Sequence, residues 1–236
     1  MKIDAKYFGA IFGVLVLFTT TWALPEASAY WHVGADHSLS SIVEVRTNAN
    51  TPSLPNSSAI SATTLYWLGA DVTGGDDDIL TQPEIRAYSS TQWRASFETV
   101  SETTGNRVEF YWTNVYFTPG TSIQLDDAVS SHQNCQFVTD RNNALNSASQ
   151  CLNAVDYGTS MYESYATLES YDYTGSDFHS MNGSVSFTNY LSFTSIGGTG
   201  SSQALSPYTF SSTASSPPSC ITSSGGTGSA TVTVNC

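Results

Sequence analysis

Residues 64–117 decide the fold: TLYWLGA, DVTGGDDD, ILTQPEIRAY, SSTQ, WRASFETV, SETTGN, RVEFYWTNVYF. Four runs, Thr64–Ala70, Ile79–Tyr88, Trp93–Val100 and Arg107–Phe117, are rich in β-branched and aromatic residues, and several alternate at period two. Gly74–Asp78 and Thr104–Asn106 between them carry Gly, Asn and Asp, the residues of turns. Outward from this block the pattern repeats in Ser41–Thr47, Met161–Glu169, Gly183–Phe193 and Ala230–Asn235, with further punctuation at Thr51–Ser58 and Thr118–Gly120. Beyond the amino-terminal segment, Asn142–Ala154 is the one stretch expected to hold a helix of any length. Many strands with little helix predict an antiparallel β-sandwich. The pentapeptide Gly-Gly-Thr-Gly-Ser at 197–201 and 225–229 lacks the Lys-Ser/Thr of a phosphate loop and reads as two flexible turns.

The amino terminus is organised differently. Lys2 and Lys6 precede a brief apolar run at residues 8–18, and Ala27-Ser28-Ala29 follows at cleavage distance. This is the three-part pattern of a secretory signal peptide over 1–29, leaving 30–236 as one domain with no internal boundary. The apolar run is short for a membrane span, so no membrane association is expected after cleavage. The net charge of −13 stays with residues 30–236, which hold five Arg and no Lys. Nucleic acid and anionic membrane surfaces need clustered cations, so both are excluded as partners. With every carboxyl protonated those residues reach at most +10, a mild self-repulsion compatible with work in acid.

Cys135, Cys151, Cys220 and Cys236 are an even set in an exported chain, which points to disulfides. Neighbour pairing, 135 with 151 and 220 with 236, gives two equal spacings of 16; three pairings are formally open. His132 near Cys135 has no second close Cys or His pair to complete a zinc site. Asp71 with Asp76, Asp77 and Asp78 could ligate calcium, although a solvated turn accounts for them as well. No metal or other cofactor is assigned. Asn56 and Asn182 head glycosylation sequons.

There is no Gly-x-Ser-x-Gly, and a cysteine nucleophile does not suit an oxidising compartment. Carboxylates remain, chiefly Glu84, Glu98, Glu102, Glu109, Glu163 and Glu169. Glu163 and Glu169 share one face of one strand roughly 20 Å apart. Two-carboxyl chemistry needs about 5 to 9.5 Å, so an acid pair must join different strands, such as Glu98 with Glu169.

The order of segments resembles the glutamic peptidases, or eqolisins. Trp67-Leu68-Gly69-Ala70-Asp71 is similar to that family's Trp-Val-Gly-Ile-Asp strand, and Ile79-Leu80-Thr81-Gln82 to its Ile-Leu-Gln strand. Ala95-Ser96-Phe97-Glu98-Thr99 resembles its aromatic strand, Pro119-Gly120-Thr121-Ser122-Ile123 its next turn, and Ala166-Thr167-Leu168-Glu169 its Trp-Ile-Val-Glu. Gly183-Ser184-Val185-Ser186-Phe187 follows at matching distance, so the likeness spans roughly residues 38 to 236. Gln82 stands one residue later than the family's glutamine, and such a slip reverses the side-chain face unless a bulge or longer loop restores it. Thr81 is the other occupant of that position, and Ser96 and Thr99 stand where the family carries cleft tryptophans.

The resemblance implies a concanavalin-like sandwich of two curved antiparallel sheets. It implies a metal-independent acid endopeptidase, secreted and monomeric, acting on polypeptides. Glu169 would be general base and then acid, Gln82 would donate to the oxyanion, and Trp67, Asp71 and Glu98 would line the cleft. Two other readings of the same scaffold are a lectin-like or cell-surface binding module and a glycoside hydrolase with two strand carboxylates. Gln82 and Glu169 facing each other across one concave sheet is the structural expectation of the first.

Overall fold

The computed structural model describes residues 31–53, 64–72, 79–101, 104, 107–130, 133–153, 158–170, 182–211 and 219–235. The expected signal peptide and the Asp76–Asp78 cluster lie outside these residues. Among the described residues fifteen strands run in order: β1 (Trp31–Ile42), β2 (Glu44–Asn50), β3 (Thr64–Val72), β4 (Ile79–Ser89), β5 (Gln92–Ser101), β6 (Arg107–Phe117), β7 (Ser122–Ser130), β8 (Gln133–Asp140), β9 (Ser147–Asn153), β10 (Met161–Ser170), β11 (Asn182–Phe193), β12 (Ser201–Ser202), β13 (Ser206–Ser211), β14 (Ile221–Gly226) and β15 (Ser229–Asn235). They form a 7-stranded sheet in the order β13-β1-β10-β3-β4-β5-β6 and an 8-stranded sheet in the order β14-β15-β11-β2-β7-β8-β9, with β12 on β11. Every pairing is antiparallel, so the architecture is the sandwich expected from the sequence.

The inner faces interdigitate. Val33, Tyr66, Leu68, Ile85, Trp93 and Phe97 from the first sheet meet Val45, Leu125, Val138, Phe187 and Val232 from the second. Tyr66 packs edge-on against Trp93 and Phe187, with ring centroids 5.3 and 6.4 Å apart. Buried Trp93 satisfies its indole N–H on the Pro52 carbonyl at 3.0 Å, as a Trp in a dry core must. A polar seam crosses the same core. Thr81 donates to Asp127 at 2.5 Å, Asn134 donates to the other Asp127 oxygen at 2.6 Å, and Gln136 donates to the Glu98 carbonyl. Burial pushes the Asp127 carboxyl up to about 7 against these hydrogen bonds.

The expected helix over Asn142–Ala154 is replaced by a turn and strand β9. The Cys135–Cys151 disulfide pins β9 to β8, joining residues that stand opposite each other in register, so the ladder overrides the local helical preference. The 135–151 pairing is therefore present. Cys220 is also disulfide-bonded, and its expected partner Cys236 lies outside the described residues. Ser41–Thr47, read as one strand, is the junction of β1 and β2. There the chain irregularly shifts register against β10, and Ser41 adopts a positive φ of 57°. Gly34 lets β1 lie close on β10, because a Cβ there would stand 2.3 Å from the Ala166 carbonyl oxygen.

Candidate active site on the outer face of the seven-stranded sheet

Alternation sorts the central strands. Tyr66, Leu68, Ala70 and Val72 of β3 enter the core, so Leu65, Trp67, Gly69 and Asp71 point outward. Pairing of β3 with β4 keeps one register from Leu65↔Arg86 through Trp67↔Glu84 to Ala70↔Thr81 and Val72↔Ile79. Pro83 offers no N–H to the ladder, yet no bulge forms there. Thr81 consequently faces inward, onto Asp127 and the Ala70 carbonyl, while Leu80, Gln82, Glu84 and Arg86 face outward. On β10, Ala166 and Leu168 are core and Glu163, Tyr165, Thr167 and Glu169 are outward. Gln82 and Glu169 thus lie on the same outer face, with Trp67, Asp71 and Glu98.

That face is as dry as the inner one. Trp67, Asp71, Gln82, Glu84, Arg86, Glu98 and Glu169 are all buried. Charges there must therefore be paired. Glu169 accepts the Trp67 indole N–H at 2.6 Å on one oxygen, and His32 Nε2 stands 3.4 Å from the other. Burial pushes Glu169 up, but the His32 charge and hydrogen bond, the Arg86 charge and the Trp67 N–H outweigh it and hold the carboxyl below its usual range. His32 is itself fixed edge-on to Trp67 and tilted against Phe210, at 5.3 and 5.4 Å.

Trp67 reaches Glu169 because of Gly69. A Cβ at Gly69 would lie 2.5 Å from Trp67 Cζ3, so the indole occupies the space an ordinary side chain would fill. Gly69→Ala is expected to displace the ring, cost about 1–3 kcal/mol as an overpacking change, and break the indole–carboxylate bond. Denaturant unfolding together with the indole N–H chemical shift checks both effects, and an unmoved shift would refute this role for Gly69.

A second charged group occupies the ground beyond Trp67. Arg86 holds Glu84 through two bonds of 2.7 and 2.8 Å and also bonds Glu98, which Arg107 bonds in turn. Ser96 donates to Glu84 at 2.7 Å. Burial pushes Glu84 up to about 8, opposed by Arg86 and reinforced by Glu98. Asp71 accepts the Tyr165 hydroxyl at 2.5 Å.

The expected residues are therefore only partly brought together. Glu169 and Trp67 are in contact, and Glu98 and Asp71 sit in separate polar groups on the same face. Glu169 stands level with Leu65 and Arg86, whereas Gln82 falls level with Gly69 and Tyr165. Four residues along the strand and two strand spacings across put their Cα atoms roughly 16 Å apart. The two side chains meet over one substrate carbonyl only at full extension, across the Trp67 ring. His32, Arg86 and Tyr165 were not singled out as site residues by the sequence, and Glu84 stood there only as one of six candidate carboxylates. His32 and Tyr165 lie in runs with no motif, and Arg86 and Glu84 gain their meaning only from cross-strand register. The 8-stranded sheet carries a cavity of about 400 Å³ beside Val43, Val129 and Thr194, and one of about 180 Å³ beside Glu44, Arg46 and Asp126. Both lie away from Glu169, and the carboxylates of the smaller one are bonded by Arg46. Volume alone therefore does not locate the chemistry.

No protein-family model matches the chain, and no curated protein matches it. Among solved structures, its fold is similar to scytalido-glutamic peptidase bound to a peptide-based transition state analog, at TM-score 0.56 and 17% identity, covering 88% of this chain and 99% of that one. The same peptidase with a transition state analog inhibitor gives 0.57 and 14% over the same shares. SCP-B, a member of the eqolisin family of peptidases in complex with the tripeptide Ala-Ile-His, gives 0.54 and 15%, again over 88% and 99%. The fold is eqolisin-like from end to end of the matched region.

Proposed function

We propose, from this eqolisin-like fold, that the protein is a secreted acid endopeptidase of the glutamic type, acting as a monomer without metal. The observation that carries the reading is Glu169: a buried carboxylate held ionised by His32, Arg86 and the Trp67 N–H on the sheet face that also bears Gln82. A base that works in acid must keep its charge there, and these partners supply the reason. Glu169 takes a proton from water as the water attacks the scissile carbonyl, and returns it to the leaving amine. Gln82 donates its amide N–H to the oxyanion as charge develops. Trp67, Asp71 and Glu98 line or support the cleft. Export agrees with the Cys135–Cys151 disulfide.

One observation favours a second reading, a non-catalytic binding sandwich. Gln82 stands four residues out of level with Glu169, and Glu84 and Glu98 beside it are bonded by Arg86 and Arg107. The test is incubation of the purified protein with denatured protein substrate between pH 2 and 5, alongside Glu169→Gln and Gln82→Ala. Cleavage lost in both variants supports the assignment. Cleavage by wild type that survives Gln82→Ala removes Gln82 from the mechanism and keeps Glu169. No cleavage at any pH selects the binding module.

A further inference from the structure

We infer that His32, which neither the family resemblance nor the comparisons assign, is the positioning residue that sets the ionisation of Glu169. The base role of Glu169 rests on the peptidase reading; the coupling of the two side chains does not.

The geometry is specific. His32 lies on β1, in register with Glu169 on β10, and its Nε2 faces Oε1 at 3.4 Å while Trp67 occupies Oε2. Trp67 is edge-on to the imidazole and Phe210 of β13 lies tilted against it, so the ring's orientation is set by packing. Gly34, the next outward residue on β1, brings the strand close to β10 and so brings His32 within reach. His32 is 13% exposed against 4% for Glu169, which leaves the imidazole the more accessible member of the pair for proton exchange. The other ionisable groups on the same face of these strands are Asp36 on β1, Tyr208 on β13, Glu163 and Tyr165 on β10, Asp71 on β3, and Glu84 and Arg86 on β4, with Glu163 and Asp71 six residues along from the level of Glu169. Arg86 is bonded to Glu84 and Glu98, so much of its charge is already balanced. His32 and Arg86 are the charges that favour ionisation of Glu169. Protonated His32 is the cation in direct contact that favours it.

The consequence is a base whose charge is favoured by an imidazole held against it. Glu169 would need no metal and no fixed lysine to remain ionised, which suits a chain without lysine after residue 6.

The test reads the Trp67 indole N–H, which is bonded to Glu169 and whose ¹H–¹⁵N resonance moves when that carboxylate is protonated. Trp67→Phe identifies the resonance among the five tryptophans. The full chain is titrated between pH 2 and 7 as wild type, as His32→Phe, which keeps a packed ring, and as His32→Gln, which keeps a donor without charge. The expected result is a midpoint moved up by about one pH unit in both variants, the scale of one neighbouring opposite charge. An unchanged or lowered midpoint in either folded variant overturns the inference, as does a wild-type indole that does not titrate. If His32→Phe gives a collapsed, undispersed spectrum, His32→Gln decides alone. Since no turnover is needed, absence of peptidase activity would sink the proposed function and leave this result standing.

Discussion

Glu169→Gln is expected to lower kcat/KM for peptide cleavage by about 10²–10⁴-fold, the range for loss of a positioned general base, while the protein stays folded. The amide oxygen of Gln can still accept the Trp67 indole N–H, so the local packing around 2.6 Å survives. What disappears is the basicity of the carboxylate oxygen that takes the proton from water, and with it the negative charge that His32 and Arg86 attract. Ground-state binding would change little, so the loss should appear in kcat more than in KM. Steady-state kinetics on a quenched peptide at pH 3 to 4 measures it, with near-ultraviolet circular dichroism as the folding control. A variant within threefold of wild type would dismiss Glu169 as the base. The wild-type profile carries a second expectation. Activity should fall on the acid side only below the ordinary glutamate range of about 4.3, because the folded carboxyl is held lower.

How much of this was legible in the sequence depends on which face a residue took. β3, β4, β5, β6, β10, β11 and β15 were visible because their inward positions are largely apolar, as in Tyr66-x-Leu68-x-Ala70. β8 and β7 beyond Ile123 were missed because Asp127, Asn134 and Gln136 sit at buried positions and break the apolar alternation with a polar seam. β1 was missed because its outward residues, His32, Gly34 and Asp36, are polar or allow a close strand approach and carry no apolar or β-branched signal. The site divides in the same way. Glu169, Trp67 and Gly69 sit in short motifs whose local spacing is fixed by one strand. The His32–Glu169 contact and the Arg86 cluster join strands separated by up to 137 positions, and only register reveals them. The one-residue slip at Gln82 shows the converse. Position in the motif and position on the sheet differ, and the unbroken β3–β4 register turns Gln82 outward and Thr81 inward.

The largest effect on stability is expected from pH, and its direction is unusual for a protein rich in carboxylates. Burial raises Glu84 to about 8, Asp127 to about 7 and Asp126 to about 6, the last with Glu44 adding to the rise and Arg46 opposing it. In the unfolded chain these groups lose their protons near pH 4. Between that pH and their folded values the native state binds more protons than the unfolded state, so unfolding free energy falls as pH rises. Asp127 alone, moving from 3.8 to about 7, corresponds to about 4 kcal/mol lost across that window. Glu169 has the opposite sign: its contribution is present above the unfolded value and is lost as pH falls through its depressed folded value. The two trends place maximum stability near pH 4–5, with the melting temperature about 8–16 °C lower at pH 8 on the Asp127 contribution alone. Thermal unfolding from pH 3 to 8 measures this, and a melting temperature at pH 8 equal to or above that at pH 4 would refute it. Asp127→Asn isolates the cause. The amide oxygen can keep the bond from Thr81 at the loss of the one from Asn134, and the side chain carries no titrating proton. That variant should melt above wild type at pH 8 and show a flatter profile. The polar seam that interrupts the apolar alternation of β7 and β8 is thus the element expected to make the sandwich more stable in acid than at pH 8.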